Sequence, residues 1–319
     1  AGIGIYTYCY WNCQSEVLIE GSDIYSNSGD GVNNVGYYYY SYIKANIRDN
    51  VLYNNNGDGI ENYGYDDYST TQTLDVDMYN NVIYSNAVHG VYCLRDSNAL
   101  VSAKIGYNKI YDNQQNGIYC RINQASSWIK YNDIYENYQY GVYNNSPVSL
   151  EVNYNNIYNN NTYEFYNDTP NSVDGRNNWW GSVSTGEMSA GGNPKNITKF
   201  YDSYDNSAKG TIDYSQWSLN ARLQVKVLSP DGGETWSGTK NILWKAEILG
   251  SAVSQVNIFY SNDAGSSWVV LAEAVSNTES YNWDTSLVSN GNQYLIKISS
   301  TYQEQTMEDT SDAVFAINN

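Results

Sequence analysis

Through the first half of the chain, apolar residues recur at two-residue spacing inside a unit that itself recurs. The unit is clearest in Asn108-Lys109-Ile110-Tyr111-Asp112-Asn113 followed by Gly117-Ile118-Tyr119-Cys120. It returns in Asn132-Asp133-Ile134-Tyr135-Glu136-Asn137 followed by Gly141-Val142-Tyr143-Asn144. With the central apolar residue as an anchor, the copies fall at Ile24, Leu52, Ile83, Ile110, Ile134 and Ile157, so the period drifts between 23 and 31 residues. Within a copy the spacing is rigid. Eight residues after each anchor stand Val32, Ile60, Val91, Ile118, Val142 and Phe165; five before stand Ile19, Ile47, Met78, Ile105, Ile129 and Val152. A smaller column lies seven before, at Val17, Ala45, Val76, Ala103, Ser127 and Leu150.

Alternation at period two predicts short strands rather than helices, and the scarcity of Ala and Leu beside abundant Asn, Gly and Tyr agrees with it. A unit this short cannot bury its own apolar side, so each coil must stack on the next and build a core column by column. The expected architecture is a parallel β-solenoid. Ten residues after each anchor stand Asn34, Asn62, Cys93, Cys120, Asn144 and Asn167, at an even offset that points inward. Buried Asn must be hydrogen-bonded, and stacked Asn side chains can bond to one another at the strand repeat; this column is read as an internal ladder.

The repeat ends near Asn177-Asn178-Trp179-Trp180-Gly181, and from Leu223 the texture changes. Alternating runs such as Leu223-Val225-Val227, Ile242-Trp244-Ala246, Val256-Ile258-Tyr260 and Tyr294-Ile296-Ile298, separated by turn residues, are spaced as in a β-sandwich. The predicted organisation is all-β, with a solenoid and its closing segment over 1–219 and a sandwich over 220–319.

Composition narrows the partners. Sixteen Lys and Arg against 34 Asp and Glu give a net charge of −18, which argues against nucleic acid and anionic membrane surfaces. No apolar run approaches the roughly 18 residues of a membrane span. Of the 35 tyrosines, all but Tyr260, Tyr281, Tyr294 and Tyr302 precede residue 220, so the excess belongs to the solenoid. Cys9 and Cys13 are read as a loop-closing disulfide, whereas Cys93 and Cys120 share one column in successive coils and suit a disulfide and a pair of buried thiols equally. Sequons stand at Asn144, Asn160, Asn167 and Asn196, in keeping with an extracellular or cell-surface glycoprotein. The opening Ala1-Gly-Ile-Gly-Ile-Tyr6 matches the tail of a coil; trimming upstream and a partner subunit at this end are both compatible with that.

Three features carry a family resemblance: Asn-x-Ile-Tyr-x-Asn followed by Gly-[Val/Ile], the Asn-Asn-Trp-Trp-Gly terminator, and the close Asp213-Tyr-Ser-x-Trp217-x-Leu219. With them the first part resembles the right-handed parallel β-helix repeat proteins, a group that includes pectate-lyase-like enzymes and many surface proteins. Ser229-Pro-Asp-Gly-Gly-Glu-Thr-Trp236 with Ile242-Leu-Trp244 resembles the Ig-like domains of secreted microbial surface proteins. The resemblance implies the fold and leaves the activity open. Polygalacturonase-like members would require catalytic Asp beside Gly-His-Gly and Arg-Ile-Lys, but Val88-His89-Gly90 and Arg121-Ile122-Asn123 complete neither. Pectate-lyase-like members would require an acidic calcium cluster with a basic residue. Asp66, Asp67, Arg95, Asp96 and Lys104 could supply one without matching a known spacing, so no metal site is assigned and Ca2+ alone is left open.

The connection after each Gly-containing strand absorbs the length variation, at Gly36–Lys44, Gly64–Asp75, Arg95–Ser102, Ile122–Ser126 and Pro147–Ser149, and the first two are loaded with Tyr37, Tyr38, Tyr39, Tyr40, Tyr42, Tyr65 and Tyr68, with Asp66 and Asp67. With Tyr63 and Arg95 they form the candidate binding flank, since variable insertions on one side of a solenoid build its binding surfaces. Tyr25, Tyr53, Tyr84, Tyr111, Tyr135 and Tyr158 should form an outward ladder that serves stability first and sugar stacking or protein contact second. Asp30, Asp58 and His89 precede coil glycines; stacked carboxylates would stand at a glycosidase-like separation, but Asp-Gly and His-Gly are turn sequences and are read so. Ser261-Asn-Asp263-Ala-Gly265-Ser-Ser267-Trp268 matches an Asp-box hairpin, structural when single. With no complete catalytic set, the first reading is a non-enzymatic surface protein, adhesin or filament subunit that associates with itself or other surface proteins. The alternative is a polysaccharide-binding or polysaccharide-degrading β-helix.

Overall fold

The computed structural model describes residues 2–37, 40–66, 72–249, 251–303 and 305–319. The chain is all-β apart from one α-helix, α1 (Gly181–Ser189), and one short 3-10 turn among the described residues. Contacts divide it into two units, Ala1–Asn220 and Ala221–Asn319.

The first unit is a parallel β-solenoid of about six turns with three sides. Its first coil runs through β1 (Ile5–Tyr10), β2 (Gln14–Glu20) and β3 (Asp23–Tyr25), its second through β4 (Val32–Tyr37), β5 (Tyr42–Arg48) and β6 (Val51–Tyr53), and its third through β7 (Ile60–Asp66), β8 (Thr73–Tyr79) and β9 (Val82–Tyr84). Each strand pairs in parallel with its counterpart one coil on, which gives sheets of eight, eight and six strands; we call them the first, second and third faces. The register follows the predicted columns: Ile24 stands opposite Leu52 and Leu52 opposite Ile83, Val32 opposite Ile60 and Ile60 opposite Val91, Ile19 opposite Ile47 and Ile47 opposite Met78. All of these side chains are buried and form one continuous core.

The corners explain the two asparagines of the repeat motif. The residue three before each anchor (Gly21, Asp49, Asn80, Tyr107, Tyr131, Tyr154) and the residue two after it (Ser26, Asn54, Ser85, Asp112, Glu136, Asn159) have φ near +55 to +62°. Each such left-handed residue turns the chain and breaks the in-out alternation, so the asparagine that follows it, at every corner but Gly21-Ser22, points inward. Two ladders result. Asn50, Asn81, Asn108, Asn132, Asn155 and Asn178 form one; Asn27, Asn55, Asn86, Asn113, Asn137 and Asn160 form the other. In both, an Oδ1 accepts from the backbone N–H and the Nδ2 of the preceding rung. The expected ladder at Asn34 is partial: Asn34 bonds to Asn62 at 2.9 Å and Asn144 to Asn167 at 3.0 Å, while Cys93 and Cys120 fill the two rungs between.

Glycine precedes the apolar residue of the first face because the coils leave no room for a Cβ. One added at Gly117 would lie 2.7 Å from Asn137 Nδ2 and 2.8 Å from the Gly141 carbonyl. Trp180 completes the anchor column, fully buried against Phe165 and Phe200.

The second unit holds a four-stranded sheet built on Gln224–Ser229 and Thr239–Ile248 and a six-stranded sheet built on Gln255–Ser261 and Gly291–Tyr302. Both contribute to a core that includes Trp236, Trp244, Trp283, Tyr294 and Phe315. The expectation of an Ig-like sandwich is met as far as an all-β unit of two sheets. The Asp-box stretch ties a hairpin turn: Asp263 accepts from Ser261, from Ser267 Oγ at 2.6 Å and from Ser267 N at 2.9 Å. Lys297 lies 4.6 Å over the Trp268 ring.

Candidate functional site

The third face carries Tyr25, Tyr53, Tyr84, Tyr111, Tyr135 and Tyr158, stacked at 4.9–5.0 Å with planes within 13°. The predicted outward ladder is present. At this separation each ring face is covered by the next ring, so the ladder offers solvent its ring edges and hydroxyls. Stability is its evident role.

The first face is different. Its outward positions form three columns across the first coils. One runs Tyr6, Asn33, Glu61, Tyr92, the next Tyr8, Val35, Tyr63, Leu94, and the third Tyr10, Tyr37, Tyr65, Asp96. The rings of Tyr8, Tyr37, Tyr63 and Tyr65 stand 4.8–6.4 Å apart and most pairs are tilted by 31–51°. These rings are set wider and more tilted than those of the third-face ladder. Tyr63 donates to Asp96 at 3.3 Å, and its own acidity is suppressed by burial and by the Asp96 charge.

The sequence placed Tyr37, Tyr42 and Tyr65 in connections, but they lie on strands: Tyr37 ends β4, Tyr42 opens β5 and Tyr65 lies in β7. The reason is that Gly36 pairs with Gly64 and Tyr37 with Tyr65, so backbone hydrogen bonding continues past the predicted strand end. Tyr40 is exposed with φ +51°. Asp66 is fully buried and is no surface ligand. Arg95 turns back to the Ser97 carbonyl. Tyr38, Tyr39, Asp67 and Tyr68 lie outside the described residues.

Beside this strip three acids converge. Asp30 Oδ1 accepts from the Asp58 backbone N–H at 2.8 Å, Asp58 Oδ1 from the His89 N–H at 2.8 Å, and His89 Nδ1 from the Asn116 N–H at 3.2 Å. The turn reading of these residues therefore holds, with each capping the coil that follows. Glu61 then faces outward one column away, and oxygens of Asp30, Asp58 and Glu61 lie within 4.8 Å of one another. Asn33 Nδ2 donates to Asp30 Oδ2 at 2.8 Å and also to Glu61. Burial pushes the Asp58 carboxyl up to about 7, with the Asp30 charge adding to it and the His89 N–H opposing. Burial and a hydrogen bond with Asp30 push Glu61 up as well. His89, buried beside the rings of Tyr92 and Tyr119, is held down to about 4 by that burial and is neutral at physiological pH. Such a cluster can share a proton near neutrality or hold a cation. Glu61 and Asn33 were not singled out from sequence. The signal was there, since in the later coils their column is occupied by Tyr92, Tyr119, Tyr143 and Tyr166.

Cys9 and Cys13 form a disulfide, and Cys93 and Cys120 are free and buried, their thiols pushed up by burial. The sequons at Asn144, Asn160 and Asn167 are corrected by their placement: all three are fully buried ladder positions, with no amide accessible to glycosylation in the folded chain, whereas Asn196 is exposed. No helix is long and apolar enough to cross a membrane.

No family model and no curated protein matches this chain. Among solved structures it is similar to the enzymatically active domain of bacteriophage CBA120 tailspike protein 2, over 97% of this chain and 66% of that one. The chain thus spans just under two thirds of that structure. Identity is 10% and the TM-score 0.31, too low for the likeness to bear on activity.

Proposed function

We propose that the solenoid is a polysaccharide-binding β-helix of an extracellular protein, which takes a glycan chain across the first face over Tyr8, Tyr37, Tyr63 and Tyr65. The observation that carries the reading is the contrast between the two tyrosine arrays. Rings in the third-face ladder cover one another, while those of the first-face strip are splayed beside Asn33, Glu61 and Asp96. Sugars are bound by apolar ring faces flanked by hydrogen-bonding groups, and aromatic side chains supply that area at low entropic cost. The extracellular assignment rests on the Cys9–Cys13 disulfide, a bond that persists in oxidising compartments.

A panel of neutral and uronic-acid polysaccharides, presented as an array and in affinity gels, tests the reading. We expect retention of at least one glycan, with Tyr37→Ala and Tyr65→Ala each weakening it about tenfold, roughly 1.4 kcal/mol. Tyr111→Ala in the ladder should leave binding unchanged. Retention of no glycan, or equal binding by all three variants, would sink the proposal. Reducing or unsaturated ends released in the same incubations would add degradation to binding.

A further inference from the structure

Burial divides the sequons into two kinds. At Asn144, Asn160 and Asn167, all fully buried, the amide nitrogen that a glycan would occupy is spent on bonds inside the solenoid. Asn144 Nδ2 donates to Asn167 Oδ1 at 3.0 Å, and Asn167 Nδ2 donates to the Asn171 and Gly210 carbonyls at 3.0 and 2.9 Å. Asn160 Nδ2 donates to the Ile134 and Tyr158 carbonyls at 3.2 and 3.3 Å and to Glu164 Oε2 at 2.6 Å. A sugar on any of these nitrogens would displace such bonds and need room that a close-packed interior does not have. Glycan and fold exclude each other at all three. Asn196 is placed the other way. Across Asn196-Ile197-Thr198 the burial alternates: Ile197 enters the solenoid core, while Asn196 and Thr198 on either side of it are exposed. The acceptor amide and the hydroxyl residue that completes the sequon therefore both face solvent. The segment is held in that pose by the bond from Lys195 N to the Tyr214 hydroxyl at 2.7 Å and by that from Thr198 N to Glu187 Oε2 at 2.8 Å. Asn196 Nδ2 donates to Asp205 Oδ1 at 3.3 Å in an exposed setting. A carboxamide has two donor hydrogens, so one can be exchanged for a sugar while the other keeps this partner.

We propose that Asn196 is the glycan-bearing residue of this chain and that the fold selects it, with transfer following closure of the last coils. In the transfer Asn196 Nδ2 attacks the anomeric carbon of a lipid-diphosphate-linked oligosaccharide. The N–C bond forms, the bond from that carbon to the diphosphate oxygen breaks, the lipid diphosphate leaves, and the amide proton passes to a base of the transferase. Order matters because Asn144, Asn160 and Asn167 precede Asn196 in the chain. A transferase working on the unfolded chain meets the three ladder sequons first, and a glycan placed on any of them blocks the stacking of its coil on the next. Once the coils have closed, only the closing segment still offers a sequon, and a glycan there is added to the surface at no cost to the core. The proposal shares with glycan binding at the tyrosine strip no more than the extracellular setting, since the sugar is carried in one case and captured in the other.

The test offers the full folded chain, and separately synthetic peptides covering each sequon, to a single-subunit oligosaccharyltransferase with a lipid-linked oligosaccharide. Intact mass and peptide mapping read the products. The folded chain is expected to gain one glycan, at Asn196, with occupancy at least about tenfold above that of any ladder sequon, because those sequons become accessible only when the coils open. The peptides carry no fold to discriminate among them, so the Asn160 peptide should accept a glycan that Asn160 in the folded chain refuses. Asn196→Gln should abolish the modification of the folded chain and leave its melting temperature unchanged; if that variant fails to fold, Thr198→Ala, which keeps the Asn196 amide, decides in its place. A folded chain left bare at Asn196, or one carrying a glycan at Asn144, Asn160 or Asn167, overturns the proposal, as does a bare Asn196 in the protein isolated from its own cells. Asn196→Gln should retain polysaccharide as the parent does, and Tyr37→Ala should still accept the glycan, so the modification site and the binding strip fail separately.

Discussion

Replacing Asn108 by Ala is expected to lower the stability of the solenoid by about 3–6 kcal/mol, the largest effect of any single side-chain truncation considered. Asn108 Oδ1 accepts from Asn81 N at 2.9 Å and Asn81 Nδ2 at 3.0 Å, and its own Nδ2 donates to the carbonyls of Met78 and Gly106 and to Asn132 Oδ1. Alanine leaves two buried donors of Asn81 without their Asn108 acceptor, strips a donor from two buried carbonyls and opens a cavity between coils. Each orphaned group costs about 1–3 kcal/mol, and a ladder bonded end to end loses more than its mean bond suggests. Asn161→Ala is the control: Asn161 is exposed, its side chain makes a single bond, to the Tyr138 carbonyl at 3.2 Å, and its loss should shift stability by less than about 0.5 kcal/mol. Urea unfolding followed by tyrosine fluorescence measures both. Equal midpoints for the two variants would mean that the ladders contribute nothing beyond ordinary surface asparagines.

The same ladders show what the sequence makes legible. The anchor column at Ile24, Leu52 and Ile83 and the column at Val32, Ile60 and Val91 could be read because an apolar period of two survives every change in coil length, and the structure pairs them without a slip. The two full asparagine ladders were written just as plainly in Asn-x-Ile-Tyr-x-Asn. They escaped a parity argument because a left-handed residue stands before each asparagine, as Tyr107 before Asn108 and Asp112 before Asn113, and inverts the side that follows. Parity is a rule for unbroken strands.

The candidate site was half legible for a related reason. Tyr37 and Tyr65 were visible as an excess of tyrosine, but their strand assignment depends on pairing across coils, which local propensity does not encode. Glu61 was hidden among ordinary acids. It becomes conspicuous only when the rung above it is known to be Tyr92 and the rung below Asn33, because alignment by coil turns an unremarkable residue into an exception to its column. Asp66 misled in the opposite direction: flanked by tyrosines it read as a surface ligand, while strand alternation in β7 buries it.

Raising the pH from 5 to 8 is expected to destabilise the solenoid through Glu164, and Glu164→Gln to remove that part of the loss. Glu164 ends the ladder of Asn27, Asn55, Asn86, Asn113, Asn137 and Asn160: where another asparagine would stand, its carboxyl accepts from Asn160 Nδ2 at 2.6 Å and Asn160 N at 3.3 Å. It is 3% exposed. Burial raises it to about 7, against hydrogen bonds from Asn160 and the charge of Lys199, from an ordinary value of 4.5. Between those two values the folded chain holds a proton that the unfolded chain has released, so each step up in pH favours unfolding. The group's contribution is complete below about pH 4, falls through the interval and is spent above about pH 7. A shift of this size is worth on the order of 3 kcal/mol. Glutamine offers Asn160 the same acceptor with no proton to lose, so in EDTA the variant should match the parent near pH 4 and exceed it increasingly toward pH 8. Subtracting one urea profile from the other isolates Glu164 from Asp58 and Glu61, whose raised values act with the same sign. Parallel profiles for parent and variant would show that the buried carboxyl keeps its charge in the fold, held by Lys199, whose ammonium donates to the Asn160 carbonyl at 2.8 Å.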